Sequence, residues 1–182
     1  MATIMRMMLI TTFLLATQFV YGVMDAQTVI ERLNLLPMVD EACPGYYLET
    51  YRSNISAALD KERQASSLIY YMMTPSHRED PWHRLTSDEI LLYHAGAPMQ
   101  IILLYADGSW KSLTLGGDFE AGQTAHVVIP ANTWMGFVLL DSAEQSWGLY
   151  GVMVVPGWHI EDIEFAADGL VAPIRERYPE AF

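Results

Sequence analysis

Residues 83–98 of the 182-residue chain read HRLTSDEILLYHAGAP. The second half of this stretch is rich in Ile, Leu and Tyr and ends at a glycine, a pattern typical of a β-strand followed by a turn. Successive side chains of a strand point to opposite faces, so the odd-numbered His83, Leu85 and Glu89 share one face unless a turn at Thr86–Ser87 interrupts the strand. We expect that shared face to line the interior of a sheet structure.

The same period-two pattern extends in both directions from this stretch. Asp107-Gly108 is the strongest hairpin signal, because both residues tolerate positive φ. An amphipathic helix is predicted over Asp25–Leu36 and ends at Pro37. These patterns predict an all-β fold with a short N-terminal helix. The predicted strands are Tyr46–Thr50, Ser67–Met73, Trp82–Leu85, Glu89–Ala95, Met99–Leu104, Trp110–Leu115, Ala125–Ile129, Met135–Leu140 and Leu149–Val155.

The N-terminus has the order of a secretory signal peptide. One cation, Arg6, precedes an apolar run over residues 7–20, and small residues occupy the cleavage-determining positions near Gly22. The apolar run is too short for a comfortable bilayer span. We therefore predict a signal peptide at 1–22, one domain at 23–166 and a C-terminal tail at 167–182 that forms a surface helix or a loose end. A secreted domain makes Asn54, in Asn54-Ile55-Ser56, a glycosylation acceptor in a eukaryotic host.

Charge and cysteine content limit the partners of the chain. The formal charge is −12 with only 10 Lys and Arg residues, so nucleic acid and anionic membranes are not expected as partners. The single Cys excludes an intrachain disulfide. A small molecule is the expected partner, and stable membrane insertion is not expected.

Residues 83–98, together with Ala121-Gly122 and residues 127–134 (VVIPANTW), resemble the two consecutive motifs of the cupin superfamily. The chain looks most like the small single-barrel cupins long catalogued as a family of unknown function. Further similarity lies in residues 33–37 (LNLLP), 45–53 (GYYLETYRS), 66–71 (SSLIYY) and 155–165 (VPGWHIEDIEF). The resemblance implies a single jelly-roll barrel of two antiparallel sheets, usually a homodimer, with a ligand site in the barrel mouth.

The resemblance also implies where a metal would bind. Metal-binding cupins resemble His-x-His-x3-Glu-x6-Gly followed by a third His, and this pattern falls here on His83, Leu85, Glu89 and Gly96, with the third His near Met135. Leu85 cannot coordinate a metal, and the thioether of Met135 is poorly matched to Fe, Mn or Ni. We therefore expect no metal cofactor. If a metal is bound, His83 and Glu89 are the expected ligands.

His83 and Glu89 form the candidate catalytic pair. An imidazole can transfer a proton near neutral pH, and a neighbouring carboxylate would orient it and stabilise its charged form. The alternative is an inherited ion pair that only stabilises the barrel. The remaining candidates are the ligand-binding residues Tyr47, Glu49, Tyr71, Leu85, His94, Trp134 and Met135.

Departures from the family indicate an apolar ligand. The family commonly carries Arg where Leu48 stands, Trp-His where Leu91-Leu92 stands and Gln where Met135 stands. If these positions face the pocket, polar groups of a ligand would be left unpaired there. We therefore predict a metal-independent isomerase or cyclase that acts on an apolar or mixed, natural-product-like metabolite. The alternatives are a non-catalytic binding protein and a metal-dependent oxygenase with a reduced ligand set.

Overall fold

A computed structural model describes residues 24–38, 45–57 and 63–177 of the chain. The predicted signal peptide lies outside the described residues. The helices are α1 (Ala26–Leu33), a 3-10 turn (Ile160–Asp162) and α2 (Asp168–Arg177). The strands are β1 (Leu36–Pro37), β2 (Tyr46–Arg52), β3 (Ser56–Ala57), β4 (Arg63–Gln64), β5 (Ser67–Met73), β6 (Glu79–Leu85), β7 (Asp88–Gly96), β8 (Met99–Leu104), β9 (Trp110–Leu115), β10 (His126–Ile129), β11 (Trp134–Leu139), β12 (Gly148–Val155) and β13 (Ile163–Phe165).

Two antiparallel sheets make up most of the fold, as predicted. One has six strands in the order β1-β2-β5-β12-β7-β10, and the other has five in the order β13-β6-β11-β8-β9. Strands β3 and β4 form a separate hairpin-like pair. The boundaries of β5, β8 and β9 coincide with the predicted ones, and the other predicted strands differ by a few residues at their ends.

Side chains from both sheets form one hydrophobic core. Tyr71, Leu91 and Tyr150 of the six-stranded sheet pack there against Ile101, Phe137 and other residues of the five-stranded sheet. Alternation puts these residues on the inner faces and their sequence neighbours on the outer faces. Burial of this core is the main force that holds the two sheets face to face.

Helix α1 covers part of the outer face of the six-stranded sheet. The Asp25 side chain accepts a hydrogen bond of 2.8 Å from the Thr28 backbone N–H and caps the helix start. Val29 is buried against Met72 and Leu149 of the sheet. The helix ends earlier than predicted because Asn34 adopts the left-handed conformation, with φ of 54°.

The turn at Thr86–Ser87 divides residues 83–98 into two parts, one in each sheet. Residues before it belong to β6 in the five-stranded sheet, and residues after it belong to β7 in the six-stranded sheet. The C-terminal tail contains α2, which begins at Asp168. Over the described ranges, no helix combines the length and hydropathy needed to cross a membrane.

Candidate functional site

A cavity of about 310 Å³ lies between the two sheets. Strands β2, β5, β7 and β12 form one side of it, and β6, β11 and β13 form the other. Most of its wall is apolar, including Ile69, Val152, Val154 and Phe137. The titratable groups on the wall are therefore held in a poorly hydrated environment that changes their pKa values.

Glu89 enters the cavity from the six-stranded sheet. It pairs with Val154 of β12 on one side and Ile129 of β10 on the other, and its side chain is 3% exposed. Burial raises the pKa of Glu89 to about 7, although the charge of His83 acts in the opposite direction. The Asp80 charge raises this pKa further. Glu89 is thus able to both donate and accept a proton near neutral pH.

His83 enters the cavity from the opposite sheet. Its Nδ1 lies 2.8 Å from the carbonyl oxygen of Pro81. A carbonyl oxygen only accepts hydrogen bonds, so Nδ1 carries the hydrogen and the imidazole Nε2 is left for proton transfer. The ring packs edge-on against Phe137, with ring centroids 5.6 Å apart. The sequence predicts that Glu89 orients His83, whereas the hydrogen bond that fixes this ring is the one that Nδ1–H donates to the Pro81 carbonyl oxygen.

Asp80 is a third titratable group on the wall, and sequence reasoning missed it. Its Oδ2 accepts a hydrogen bond of 3.4 Å from the Tyr71 hydroxyl. Its Oδ1 is buried and has no hydrogen-bond partner among the described residues. Burial raises the pKa of Asp80 to about 6, while the charge of His83 and the hydrogen bond from Tyr71 lower it.

A β-bulge explains why Asp80 faces inward. In strict alternation an even-numbered residue would point away from His83. The register of β6 against β11 shifts, because Asp80 pairs with Phe137 and His83 pairs with Met135. Three residues of β6 therefore span two of β11, and both side chains reach the same face. Pro81 is the sequence signal for this bulge, because proline inside a strand is found at edges and irregularities.

Four of the predicted ligand-binding residues lie on the cavity wall. These are Tyr47, Glu49, Tyr71 and Leu85. Tyr47 and Tyr71 are direct neighbours on β2 and β5. The Glu49 carboxylate forms an ion pair with Arg52 at 2.6 Å, so it reaches the cavity already partly neutralised.

The other three predicted ligand-binding residues do not line the cavity. His94 is exposed on the outer face of the six-stranded sheet and packs edge-on against Tyr70 at 5.6 Å. Trp134 lies on the outer face of the five-stranded sheet, where the Arg84 guanidinium is 4.7 Å from its ring centroid. Met135 points inward but is 1% exposed within the core. Strand alternation excludes the prediction for Trp134, because its neighbour Met135 faces inward.

The predicted reason for an apolar ligand also needs correction. Leu48 packs in the cluster under α1 on the outer face, and Leu91 and Met135 belong to the core. None of these positions lies on the cavity wall. The apolar residues that replace the family's polar residues at these positions therefore do not determine how polar the ligand is. The wall is apolar because other residues, including Ile69 and Val152, form most of it.

The segment that follows β12 forms the mouth of the cavity. It carries Trp158 and Ile160, which line the cavity while remaining 39% and 58% exposed. Asp162, 7% exposed, fixes this segment through an ion pair with Arg63 and a hydrogen bond of 3.0 Å from the Thr86 hydroxyl. The Trp158 backbone N–H also donates to the Ser67 hydroxyl at 3.0 Å.

The residues present do not fit the metal site of the family. Leu85 occupies a coordinating position on the wall, and Met135, at the position of the third His, is buried in the core. Across residues 24–38, 45–57 and 63–177, no three His, Cys, Asp or Glu side chains are grouped so that they could hold a metal ion.

Comparison with known proteins identifies the family. Residues 27–166 match the profile of the family described as Cupin superfamily (DUF985). The chain belongs to the cupin superfamily. This cupin is 31% identical over 134 residues to uncharacterized protein YML079W of Saccharomyces cerevisiae, and the match spans 66% of each sequence, just under two thirds.

Solved structures confirm the jelly-roll fold of this cupin. A hypothetical protein from Leishmania major has 28% identity and a TM-score of 0.71, over 86% of this chain and 94% of that chain. Protein SO0799 from Shewanella oneidensis has 28% identity and a TM-score of 0.72, over 85% and 92%. A dTDP sugar isomerase from Desulfovibrio desulfuricans shares only the fold, with 16% identity and a TM-score of 0.50 over 76% and 85%.

Proposed function

We propose that this cupin is a metal-independent enzyme that transfers protons on a small metabolite inside the cavity, as an isomerase or a cyclase. One observation carries the proposal. Glu89 and His83 face one apolar cavity from opposite sheets, and the pKa of Glu89 is raised to about 7 by burial. Groups with strongly shifted pKa values in a cleft are candidates for acid–base catalysis.

Each group has a defined role in the proposed reaction. The Nε2 atom of neutral His83 removes a proton from a carbon next to a substrate carbonyl, and protonated Glu89 donates its proton to the carbonyl oxygen. An enol results. In an isomerisation of a hydroxy carbonyl substrate the enol is an enediol: Glu89 takes the proton of the second enediol hydroxyl while His83 returns its proton to the former carbonyl carbon, so the carbonyl moves by one carbon and protons balance. In a cyclisation, the apolar wall holds a substrate hydroxyl against the carbonyl; the new C–O bond forms as the C=O π bond breaks, His83 takes the hydroxyl proton and Glu89 protonates the carbonyl oxygen.

The similarity to a dTDP sugar isomerase supports the proposal to the extent that this isomerase has the same fold. It does not identify the substrate. A second candidate is a non-catalytic binding protein, which the predominantly apolar wall favours. Proton transfer accounts in addition for a carboxyl group with a raised pKa that faces an imidazole across the cavity.

Hydrogen–deuterium exchange tests the proposal without knowledge of the substrate. The protein is incubated in D2O with a panel of small ketones, keto sugars and polyketide fragments, and C–H loss is followed by NMR. We expect exchange into at least one compound, unaffected by a chelator and reduced about 100-fold or more by His83→Ala or Glu89→Gln. His94→Ala, on the outer face, is the matched control and keeps full exchange.

Two results would count against the proposal. Ligand binding without exchange, in the natural protein and in both variants, would favour the binding protein. Turnover that is abolished by a chelator and restored by iron, manganese or nickel would favour the metal-dependent oxygenase.

A further inference from the structure

The cavity contains more negative than positive side chains. Asp80 and Glu89 both lie on its wall, and His83 is the charged group that interacts with each of them. The arginines near the mouth are already engaged. Arg52 pairs with Glu49, and Arg63 pairs with Asp162. Within the described part of the chain, therefore, no arginine neutralises the two inner carboxyl groups.

Asp80 has one carboxylate oxygen that accepts no hydrogen bond from the described residues. Tyr71 satisfies Oδ2, while Oδ1 is buried without a partner among those residues. Buried polar atoms are almost always hydrogen-bonded, because an unsatisfied one loses its hydration without compensation. A ligand with a hydrogen-bond donor would satisfy this oxygen from the cavity.

Aromatic rings surround the same space. Tyr47 and Tyr71 line it from the six-stranded sheet, Phe137 and Phe165 line it from the five-stranded sheet, and Trp158 stands at the mouth. The face of an aromatic ring attracts a cation, and this attraction is stronger where water is excluded. Acidic groups combined with aromatic faces select a positively charged ligand over a neutral or anionic one.

We infer that the cavity binds a small amine, with its protonated nitrogen at Asp80 and its apolar body against the aromatic wall. The primary ammonium group offers three donors, which matches the unsatisfied Oδ1 of Asp80. The cavity volume of about 310 Å³ corresponds to the small end of ligand pockets, so an arylalkyl amine is of suitable size. The inference rests on the proposed function in treating this cavity as the substrate site, and it adds the class of substrate, an amine that also carries the carbonyl on which His83 and Glu89 act.

Matched ligands of equal shape test the inference. Binding of 2-phenylethylamine and its neutral isostere 2-phenylethanol is measured by calorimetry or NMR titration at pH 8. At this pH a primary amine is protonated and both carboxyl groups are above their pKa values. We expect the amine to bind about tenfold or more tightly than the alcohol, since hydrogen bonds to charged groups are the strong ones.

Variants assign the effect to Asp80. Asp80→Asn reduces amine binding about tenfold and leaves alcohol binding unchanged. Glu164→Gln, which alters an exposed carboxylate paired with Arg84, leaves both unchanged. Melting temperatures verify that each variant is folded. Equal binding of the two ligands, no amine binding at millimolar concentration, or an unaltered preference in Asp80→Asn would overturn the inference.

Binding and turnover separate this inference from the proposed function. Amine binding without hydrogen–deuterium exchange in any compound would retain the amine site and refute the enzyme. Exchange into neutral ketones by a protein that does not prefer the amine would retain the enzyme and refute the amine site.

Discussion

Glu89 and Asp80 are carboxyl groups held where water cannot fully hydrate their charges. Burial raises their pKa values to about 7 and about 6. The two groups also influence each other, because the Asp80 charge makes ionisation of Glu89 harder. Between pH 6 and pH 7 the cavity therefore changes its charge, which is the range in which acid–base catalysis at neutral pH operates.

Replacement of Glu89 by Gln should alter the pH dependence of stability. The raised pKa of Glu89 means that the folded protein binds its proton more tightly than the unfolded chain does. That contribution to stability is complete below the unfolded pKa and is lost as pH rises through about 7. Glu89→Gln should therefore be more stable than the natural protein at pH 8, by roughly 1–3 kcal/mol. At pH 4.5 the difference should be much smaller.

Thermal denaturation between pH 4.5 and pH 8 measures this effect. For a domain of this size, 1 kcal/mol corresponds to about 2–4 °C in melting temperature. Glu164→Gln is the control, because its carboxylate is 57% exposed. A difference between Glu89→Gln and the natural protein that stays constant over this pH range would contradict the assignment.

Tyr71→Phe should raise the pKa of Asp80. The Tyr71 hydroxyl donates to Oδ2 at 3.4 Å and stabilises the ionised carboxylate. Without this donor, less of the pKa increase caused by burial is offset, so Asp80 ionises at a higher pH. A carbon-13 NMR titration of the Asp carboxyl signals measures the shift, and Asp80→Asn identifies the signal. An unchanged titration of Asp80 would show that the long hydrogen bond contributes nothing.

At the scale of elements, the mouth segment depends on Asp162. Burial raises the pKa of Asp162, but hydrogen bonds from Arg63 and Thr86 outweigh it, so the net pKa is lowered. Asp162 also accepts a hydrogen bond from the His159 backbone at 3.1 Å and closes the 3-10 turn. One buried side chain thus connects β4, the β6–β7 turn and the segment that carries Trp158.

Asp162→Ala should destabilise the protein by about 3–5 kcal/mol, because it leaves Arg63 without its buried partner. The lowered pKa means that the stabilisation is present above the ordinary Asp pKa and is lost as pH falls. Glu164→Ala provides the contrast, since its exposed pair with Arg84 is worth less than about 1 kcal/mol. Urea denaturation at pH 7 compares the two variants, and equal losses would contradict the role of Asp162.

Periodicity predicted most of the strands but only part of the site. Strands β5, β8 and β9 have enough alternating residues to mark both ends, whereas β1, β3 and β4 have two residues each, too few to show a period. Chemical type favours His94 and Trp134 as ligand contacts. Each, however, lies an odd number of positions from an inward-facing residue of its own strand, Glu89 and Met135 respectively, and so faces outward. Asp80 was missed for the opposite reason. Alternation fails at a bulge, and the partner strand that reveals the bulge is far away in sequence.

At the scale of the whole molecule, the predicted signal peptide and Asn54 lead to one further test. Asn54 is exposed in the structure, so a glycan can be attached there without burial. In a eukaryotic secretory host, the full chain should reach the medium without residues 1–22 and with a glycan that endoglycosidase removes. Asn54→Gln should abolish the mass shift while secretion continues. Retention of the protein in the cell with an intact N-terminus would contradict both predictions.

The bulge in β6 lets the strand accommodate one extra residue while Asp80 and His83 both face the cavity. Deletion of Pro81 would leave the acid two residues from the imidazole and allow regular pairing with β11. Residues two apart in a regular strand share a face, so both groups would stay inside. Among relatives, a one-residue gap at this position is thus compatible with the same interior charges, whereas a strand of unchanged length without the bulge would turn the acid to the outer face.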